Sequence, residues 1–222
     1  MRAVQLVFLY AALAVGAYLL GSLPTGYLVA RARGVDIRSV GSGNIGATNV
    51  FRVLGKAAGI GVLAVDALKG FIASGVLAPM MAKQISPEFS NDINLPDYFA
   101  LVAGGGAVLG HNYTCWLKFK GGKGIATSAG VLVALTPWAF LIILAIFLIA
   151  FVGTRYVSLG SVLAAFCLPF AAWLTGESKI KIAVTTAMSL LAIYKHKANI
   201  QRLLNGTEAR LGSSKPNSAP AP

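Results

Sequence analysis

Residues 41–50 read GSGNIGATNV, and Gly41 to Gly46 fit G-x-G-x-x-G, the spacing of a dinucleotide-binding turn. Asp66 lies 20 residues past Gly46, about where such a fingerprint places its ribose-binding carboxylate. On that reading the chain is a doubly wound α/β enzyme, which needs short apolar strands alternating with amphipathic helices. The flanking sequence has a different form. Ala3 to Leu20 and Ala57 to Met81 are long runs rich in Ala, Leu and Gly, long enough to cross a bilayer core, for which about 20 residues suffice. Asp66 therefore falls inside a membrane helix, and the glycine pattern belongs to something other than a Rossmann turn.

Composition agrees. Of 222 residues, 56% are hydrophobic and 12% charged, against roughly 25% charged in soluble domains, and the mean hydropathy is +0.73. Cys115 and Cys167 lie far apart without metal-ligand spacing, so neither a disulfide framework nor zinc is expected. Arg2 before an apolar run resembles a signal peptide, but the run is too long, and GSLPTGYLVARARG puts positive charge on the wrong flank for cleavage. It reads as the first membrane helix.

The net charge of +12 is unevenly placed. Basic residues cluster at 31–56, at 118–123, at Arg155 and from 195 onwards, whereas 83–97 carries Glu88, Asp92 and Asp97 against one lysine. The positive-inside bias puts the basic regions in the cytoplasm and the acidic loop outside. Helix 1 then enters from outside, helix 2 (about 57–82) returns, and helix 3 (about 96–110) comes back. The uncharged stretch from Lys123 to Arg155 must turn, with Pro137 at the corner and arms of about 13 to 17 residues. Two further helices, about 157–175 and 180–195, complete an all-α polytopic membrane protein of seven transmembrane helices, amino terminus outside and carboxyl terminus cytoplasmic. One long tilted helix over 125–154 is the alternative, and it would put the later basic segments outside. Residues 1–212 form a single domain, and 213–222 a disordered cytoplasmic tail of Pro, Ser and Ala.

Three cytoplasmic stretches interrupt the apolar pattern with glycine, amide, hydroxyl and cationic groups: 41–59, 110–127 and 194–212. Glycine lets backbone N–H groups approach an anion, and the polar side chains add donors around it. Acid–base material is scarce. The only cytoplasmic carboxylates are Asp36 and Glu208, and the only histidines are His111 and His196. FKGGKGIAT fails as a Walker A loop because Gly124 follows Lys123. Five residues after each histidine stand Trp116 and Gln201, so there is no His-x-x-x-x-Asp box. Such a site suits substrates that bring their own phosphates.

The three stretches, in this order and between similar helices, resemble the three signature segments of the PlsY family, the bacterial acyl-phosphate:glycerol-3-phosphate acyltransferases. The resemblance extends from helix 1 to about Gly212. It implies a seven-helix bundle in the bacterial cytoplasmic (inner) membrane with its site on the cytoplasmic face. The implied reaction transfers a fatty acyl group from acyl phosphate to the 1-hydroxyl of sn-glycerol 3-phosphate, giving lysophosphatidic acid and phosphate. It needs no cofactor or metal, and no dedicated protein base is implied. Partners are those two substrates and membrane lipid, with no nucleic acid, and the chain is expected to be a monomer. Catalytic roles fall on Ser42, Lys123, His196 and Asn199. Substrate binding is expected of Gly41, Gly43, Asn44, Thr48, Asn49, Arg52, Lys120, Gly121, Gly122, Gly124 and Thr127. Glu208 is implied as structural. Lys197 and Ile45 stand where Arg and Pro are commoner, and neither position has a role.

Asp66 and Lys69, three apart on one helix face, are expected to pair and support the active-site loops. His111 is expected to cap its helix or bond a carbonyl. Trp116, Trp138 and Trp173 read as interfacial belt residues, and GGGAVLG (104–110) as a close helix-packing surface. The rival class is an organophosphate or anion transporter, whose midplane site and internal repeat have no counterpart in this sequence. A non-catalytic assembly factor would not need so many phosphate donors.

Overall fold

A computed structural model describes residues 2–84 and 94–212. Glu88, Asp92 and the tail 213–222 lie outside the described residues. The helices are α1 (Arg2–Ser22), α2 (Thr25–Arg31), α3 (Ala47–Leu54), α4 (Lys56–Ile72), α5 (Ala78–Ala82), α6 (Leu95–Asn112), α7 (Ile125–Leu135), α8 (Pro137–Thr154), α9 (Val157–Leu174), α10 (Lys179–Lys195) and α11 (Lys197–Leu204). A π turn, Ala73–Leu77, joins α4 to α5 without a break. The protein is an all-α polytopic membrane protein.

Four stretches are each long and apolar enough to span: Val4–Arg31, Lys56–Ala82, Pro137–Thr154 and Val157–Leu174. The first extends beyond the expected 3–20. Its last two turns are set off at Pro24, whose missing N–H and ring interrupt the helical bonding. The corner at Pro137 is as expected, but the arms are unequal, with 11 residues in α7 and 18 in α8. The short arm arises because Gly124 adopts φ 77°, so α7 cannot begin before Ile125.

The interior is close-packed around α6, which is buried along most of its length between α1 and the π turn. Gly110 lies so near α1 that a Cβ would overlap the Tyr18 carbonyl, and Gly104 similarly meets Ser74 and Val131. The small-residue string therefore works as the expected packing surface. Phe99, Leu101, Leu13 and Leu135 fill the space above these contacts. A second apolar cluster, around Leu132, Ile143 and Leu168, joins α7, α8 and α9.

A candidate phosphate-binding active site

The first polar stretch folds around one side chain. Asn49 in α3 is 1% exposed. Its Nδ2 donates to the carbonyls of Ile37, Val40 and Asn44 at 3.2, 3.1 and 2.9 Å, and its Oδ1 accepts from the Ser42 N–H at 2.9 Å. Asn49 thus spends its amide on shaping the loop, although it lines the cleft. Gly41, with φ 60°, packs so tightly here that a Cβ would overlap Asn49 Oδ1. Gly41 and Gly43 shape the loop behind the cleft and do not line it. Ser42, Asn44, Thr48 and Arg52 do line it.

The second stretch hangs from the end of α6. The N–H groups of Gly121 and Gly122 donate to the carbonyls of Asn112 and His111 at 3.2 and 3.0 Å. A Cβ on Gly122 would overlap His111 Nε2, and one on Gly121 the His111 carbonyl oxygen. These glycines are required by packing, and their N–H groups are spent on α6 rather than turned to the cleft. Lys120 is exposed and Thr127 fully buried, and neither lines the cleft, whereas Lys123 and Gly124 do. Among the described residues the His111 ring caps no helix and bonds no carbonyl. Its Nδ1 lies 3.7 Å from Asp66 Oδ1, and its ring forms part of the cleft wall. Asp66 in turn pairs with Lys69 at 2.9 Å, ion pairing without a well-aligned hydrogen bond at that oxygen. Lys69 also donates to the Leu23 carbonyl at 3.0 Å. Asp66 thus lies between Lys69 and His111, whose carbonyl accepts from the Gly122 N–H.

The third stretch supplies a carboxylate hub. Glu208 Oε1 accepts from Ser158 Oγ at 2.8 Å and Asn199 Nδ2 at 2.7 Å, and Oε2 accepts from Arg202 Nε at 2.7 Å. Burial alone would raise its carboxyl, but these bonds outweigh it and hold the group below the usual carboxylate range. Asn199 Oδ1 accepts from Lys123 Nζ, so its amide bridges Lys123 to Glu208. Asn199 also lines the cleft, and each end of its amide keeps capacity for one further bond.

Burial lowers Lys123 from 10.5 to about 8, Glu208 opposing and Arg202, Arg52 and Lys195 reinforcing. It is cationic at neutral pH. Burial and the Lys123 charge take His196 from 6.5 to about 4, so it is neutral. Its Nδ1 lies 2.8 Å from the Ala192 carbonyl, which only accepts, so the proton sits on Nδ1 and Nε2 carries a lone pair. Arg52 donates to the Ala209 carbonyl at 2.9 Å, and its buried Nε has no partner among the described residues. Burial pushes its pKa down from the ordinary value, with Glu208 opposing, and the guanidinium stays charged.

Four helices begin at this cleft. Residues of the first turns of α3, α7, α9 and α11, or their N-caps, line it, and none of the four has a side-chain cap. The absence of a side-chain cap is shared by α2, α4, α6 and α8, which start elsewhere, while α10 is capped by Ser178; what distinguishes the four is that they start at one cleft. Uncapped first turns leave N–H donors unspent, and each carries roughly half a positive charge. Together with Lys123, Arg52 and the imidazoles of His111 and His196 they surround one cleft. The sequence reading missed Ser158 and Ser161, which line the cleft from α9. Their signal was two serines three apart, on one helix face, in an otherwise apolar run.

Comparison with known proteins fits this geometry. The family model described as glycerol-3-phosphate acyltransferase matches residues 11–206. Curated relatives named glycerol-3-phosphate acyltransferase include one from Geotalea daltonii, 45% identical over 88% of this chain and 94% of its own length. Another, from Geobacter metallireducens, is 49% identical with the same coverage. Among solved structures, PlsY, an integral membrane glycerol 3-phosphate acyltransferase, in its glycerol 3-phosphate form superposes with a TM-score of 0.81 at 39% identity, covering 91% of this chain and 96% of that one. Its lysophosphatidic acid form gives 0.78 over 91% and 95%. The chain belongs to the glycerol-3-phosphate acyltransferase family of membrane enzymes.

Proposed function

We propose that the cleft transfers a fatty acyl group from acyl phosphate to the 1-hydroxyl of sn-glycerol 3-phosphate, releasing lysophosphatidic acid and phosphate. The observation that carries this reading is the meeting, in one cleft, of four uncapped helix N-termini, the cations of Lys123 and Arg52 and the neutral imidazole of His196. The site is built for phosphate oxygens and has almost no carboxylate of its own.

Lys123, Arg52 and the first-turn N–H groups hold the two phosphates. His196 Nε2 accepts the hydrogen bond of the acceptor hydroxyl and aims its oxygen at the acyl carbonyl carbon. As the new C–O bond forms, the bond from that carbon to the phosphate oxygen breaks, and the proton passes to the departing phosphate, the strongest acceptor available. Ser42 lies at the mouth of the cleft, within reach of the phosphates. An apolar slot continues from the cleft through Ile125 and Ser161 between α7, α8, α9 and α10, past Leu132, Phe140 and Met188, and takes the acyl chain. On the other side, a groove lined by Arg52, Arg202 and Arg210 shares Ser42 and Glu208 with the cleft and admits the water-soluble acceptor.

The same reading gives seven spans, α1–α2, α4–α5, α6, α7, α8, α9 and α10, in the bacterial inner membrane. The amino terminus is outside, the cleft cytoplasmic, residues 1–212 one domain and the enzyme a monomer. The charge distribution supports the orientation. α6, α7 and α10 fall short by themselves and are covered by the longer apolar helices.

The test supplies purified protein with palmitoyl phosphate and glycerol 3-phosphate and follows phosphate and lysophosphatidic acid together. Equal appearance of both, absent with palmitoyl-CoA, is expected. Turnover with the thioester alone would overturn the donor, and failure with both would favour transport, read as uptake into sealed vesicles.

A further inference from the structure

Between the end of α6 and the cleft, residues 113–120 form a tight turn that the reaction above does not use. Three backbone bonds close it. The N–H groups of Leu117 and Phe119 donate to the Thr114 carbonyl at 3.3 and 2.9 Å, and that of Lys120 to the Leu117 carbonyl at 3.0 Å. Leu117 is buried in an apolar cluster with Ile37, Ile45 and Val62. Trp116 and Phe119 face outward, 62% and 63% exposed, beside exposed Lys118 and Lys120. Lys118 and Phe119 hold φ of 54° and 60°. Two successive non-glycine residues in the left-handed region are strained, and such strain persists only where the surroundings fix it.

The turn packs on the first span, where Thr114 Oγ1 donates to the Ser22 carbonyl at 2.6 Å. Its lysines belong to the basic stretch 118–123, which the positive-inside bias puts at the cytoplasmic surface, and its outward rings match the layer where headgroups begin, which aromatic rings prefer and where lysines meet lipid phosphate.

We propose that this turn is a binding site for an anionic phospholipid of the surrounding bilayer. Trp116 and Phe119 sit at the boundary of acyl chains and headgroups, and Lys118 and Lys120 hold the lipid phosphate. Because Gly121 and Gly122 follow directly and hang from the end of α6, the bound lipid also fixes the position of Lys123. The lipid site rests on the membrane reading, and its effect on turnover rests on the phosphate role of the cleft.

The chain has three tryptophans, and Trp138 and Trp173 are exposed, so W138F/W173F isolates Trp116 without disturbing the core. This protein is reconstituted in phosphatidylcholine bilayers containing brominated phosphatidylglycerol or brominated phosphatidylcholine at equal mole fraction. Brominated phosphatidylglycerol should quench Trp116 more strongly, with an enrichment of up to roughly 25-fold for two lysines at about 1 kcal/mol each, and Lys118→Gln should lower it about fivefold. Adding phosphatidylglycerol should lower KM for glycerol 3-phosphate. Lys118→Gln should reduce that response and leave turnover in pure phosphatidylcholine unchanged. Equal quenching by the two lipids, no quenching, or a preference undiminished by Lys118→Gln overturns the site. The expected quenching with an unmoved KM overturns the coupling to Lys123. Quenching needs no turnover, so a failure there counts against the lipid site and not against acyl transfer.

Discussion

Replacing Lys123 by methionine should inactivate the enzyme and stabilise its fold. The ammonium is buried, and a lysine taken from 10.5 to about 8 pays for its charge in the folded state. The shift corresponds to about 3 kcal/mol against folding at neutral pH. Loss of the bond to Asn199 returns about 1 kcal/mol. The net gain of about 2 kcal/mol raises the unfolding midpoint by roughly 4 to 8 °C for a chain of this size. The sign depends on pH. Below about 8 both folded and unfolded lysine are charged and the whole cost is present. Between about 8 and 10.5 the unfolded chain binds the extra proton, so the parent protein becomes more stable as pH rises while the variant does not. The advantage of methionine should therefore shrink across that window and vanish above it. Thermal unfolding of both proteins without substrate, at pH 7 and pH 10, measures this, and kcat/KM measures the lost phosphate contact, about 10²-fold or more. A variant less stable than the parent at pH 7, or a difference that does not change with pH, would refute the burial argument.

Other outcomes follow from the same geometry. The pH profile of kcat/KM for glycerol 3-phosphate should fall roughly tenfold per unit above about 8, as Lys123 loses its proton, with no acid limb from His196 until near 4; an acid limb near 6.5 that disappears in His196→Gln would contradict the neutral imidazole. Asp66→Asn leaves Lys69 buried and unpaired, which should cost roughly 3–5 kcal/mol. The double change Asp66→Asn with Lys69→Met should recover most of it in thermal unfolding, and no recovery would show that the pair is not the cause. Ala165→Phe fills the apolar slot. If the ring displaces about two methylenes at about 0.8 kcal/mol each, the preference for palmitoyl over decanoyl phosphate should fall roughly tenfold. An unchanged ratio would place the acyl chain elsewhere.

The apolar runs, the corner at Pro137 and the packing glycines of α6 were legible because each depends on local composition and spacing. So was the gathering of three polar stretches, which share one chemistry. The division of labour within them was not. Gly121 and Gly122 look in sequence like phosphate ligands, yet their N–H groups are taken by the end of α6. Asn49 looks like a substrate contact, yet its amide holds the loop, and nothing local to Asn199 announces that it joins Lys123 to Glu208. An amide or glycine reads the same whether its partner is substrate or protein, and only tertiary placement decides between them. Ser158 was hidden for the same reason, since its partner Glu208 lies 50 residues away.

The uncapped helix starts also affect what mutagenesis can find. Gly46, Gly124 and Tyr156 offer no side-chain oxygen that bonds the first turn, so the donors there belong to the main chain. No side-chain substitution deletes a peptide N–H, apart from one to proline. Alanine scanning will therefore credit phosphate affinity to Lys123 and Arg52 and leave a residual binding that no single variant abolishes. That residue of affinity does not titrate, so it should outlast the lysine's charge at high pH. It should also accept any tetrahedral oxyanion of suitable size, which makes sulfate and vanadate natural competitors of the substrate.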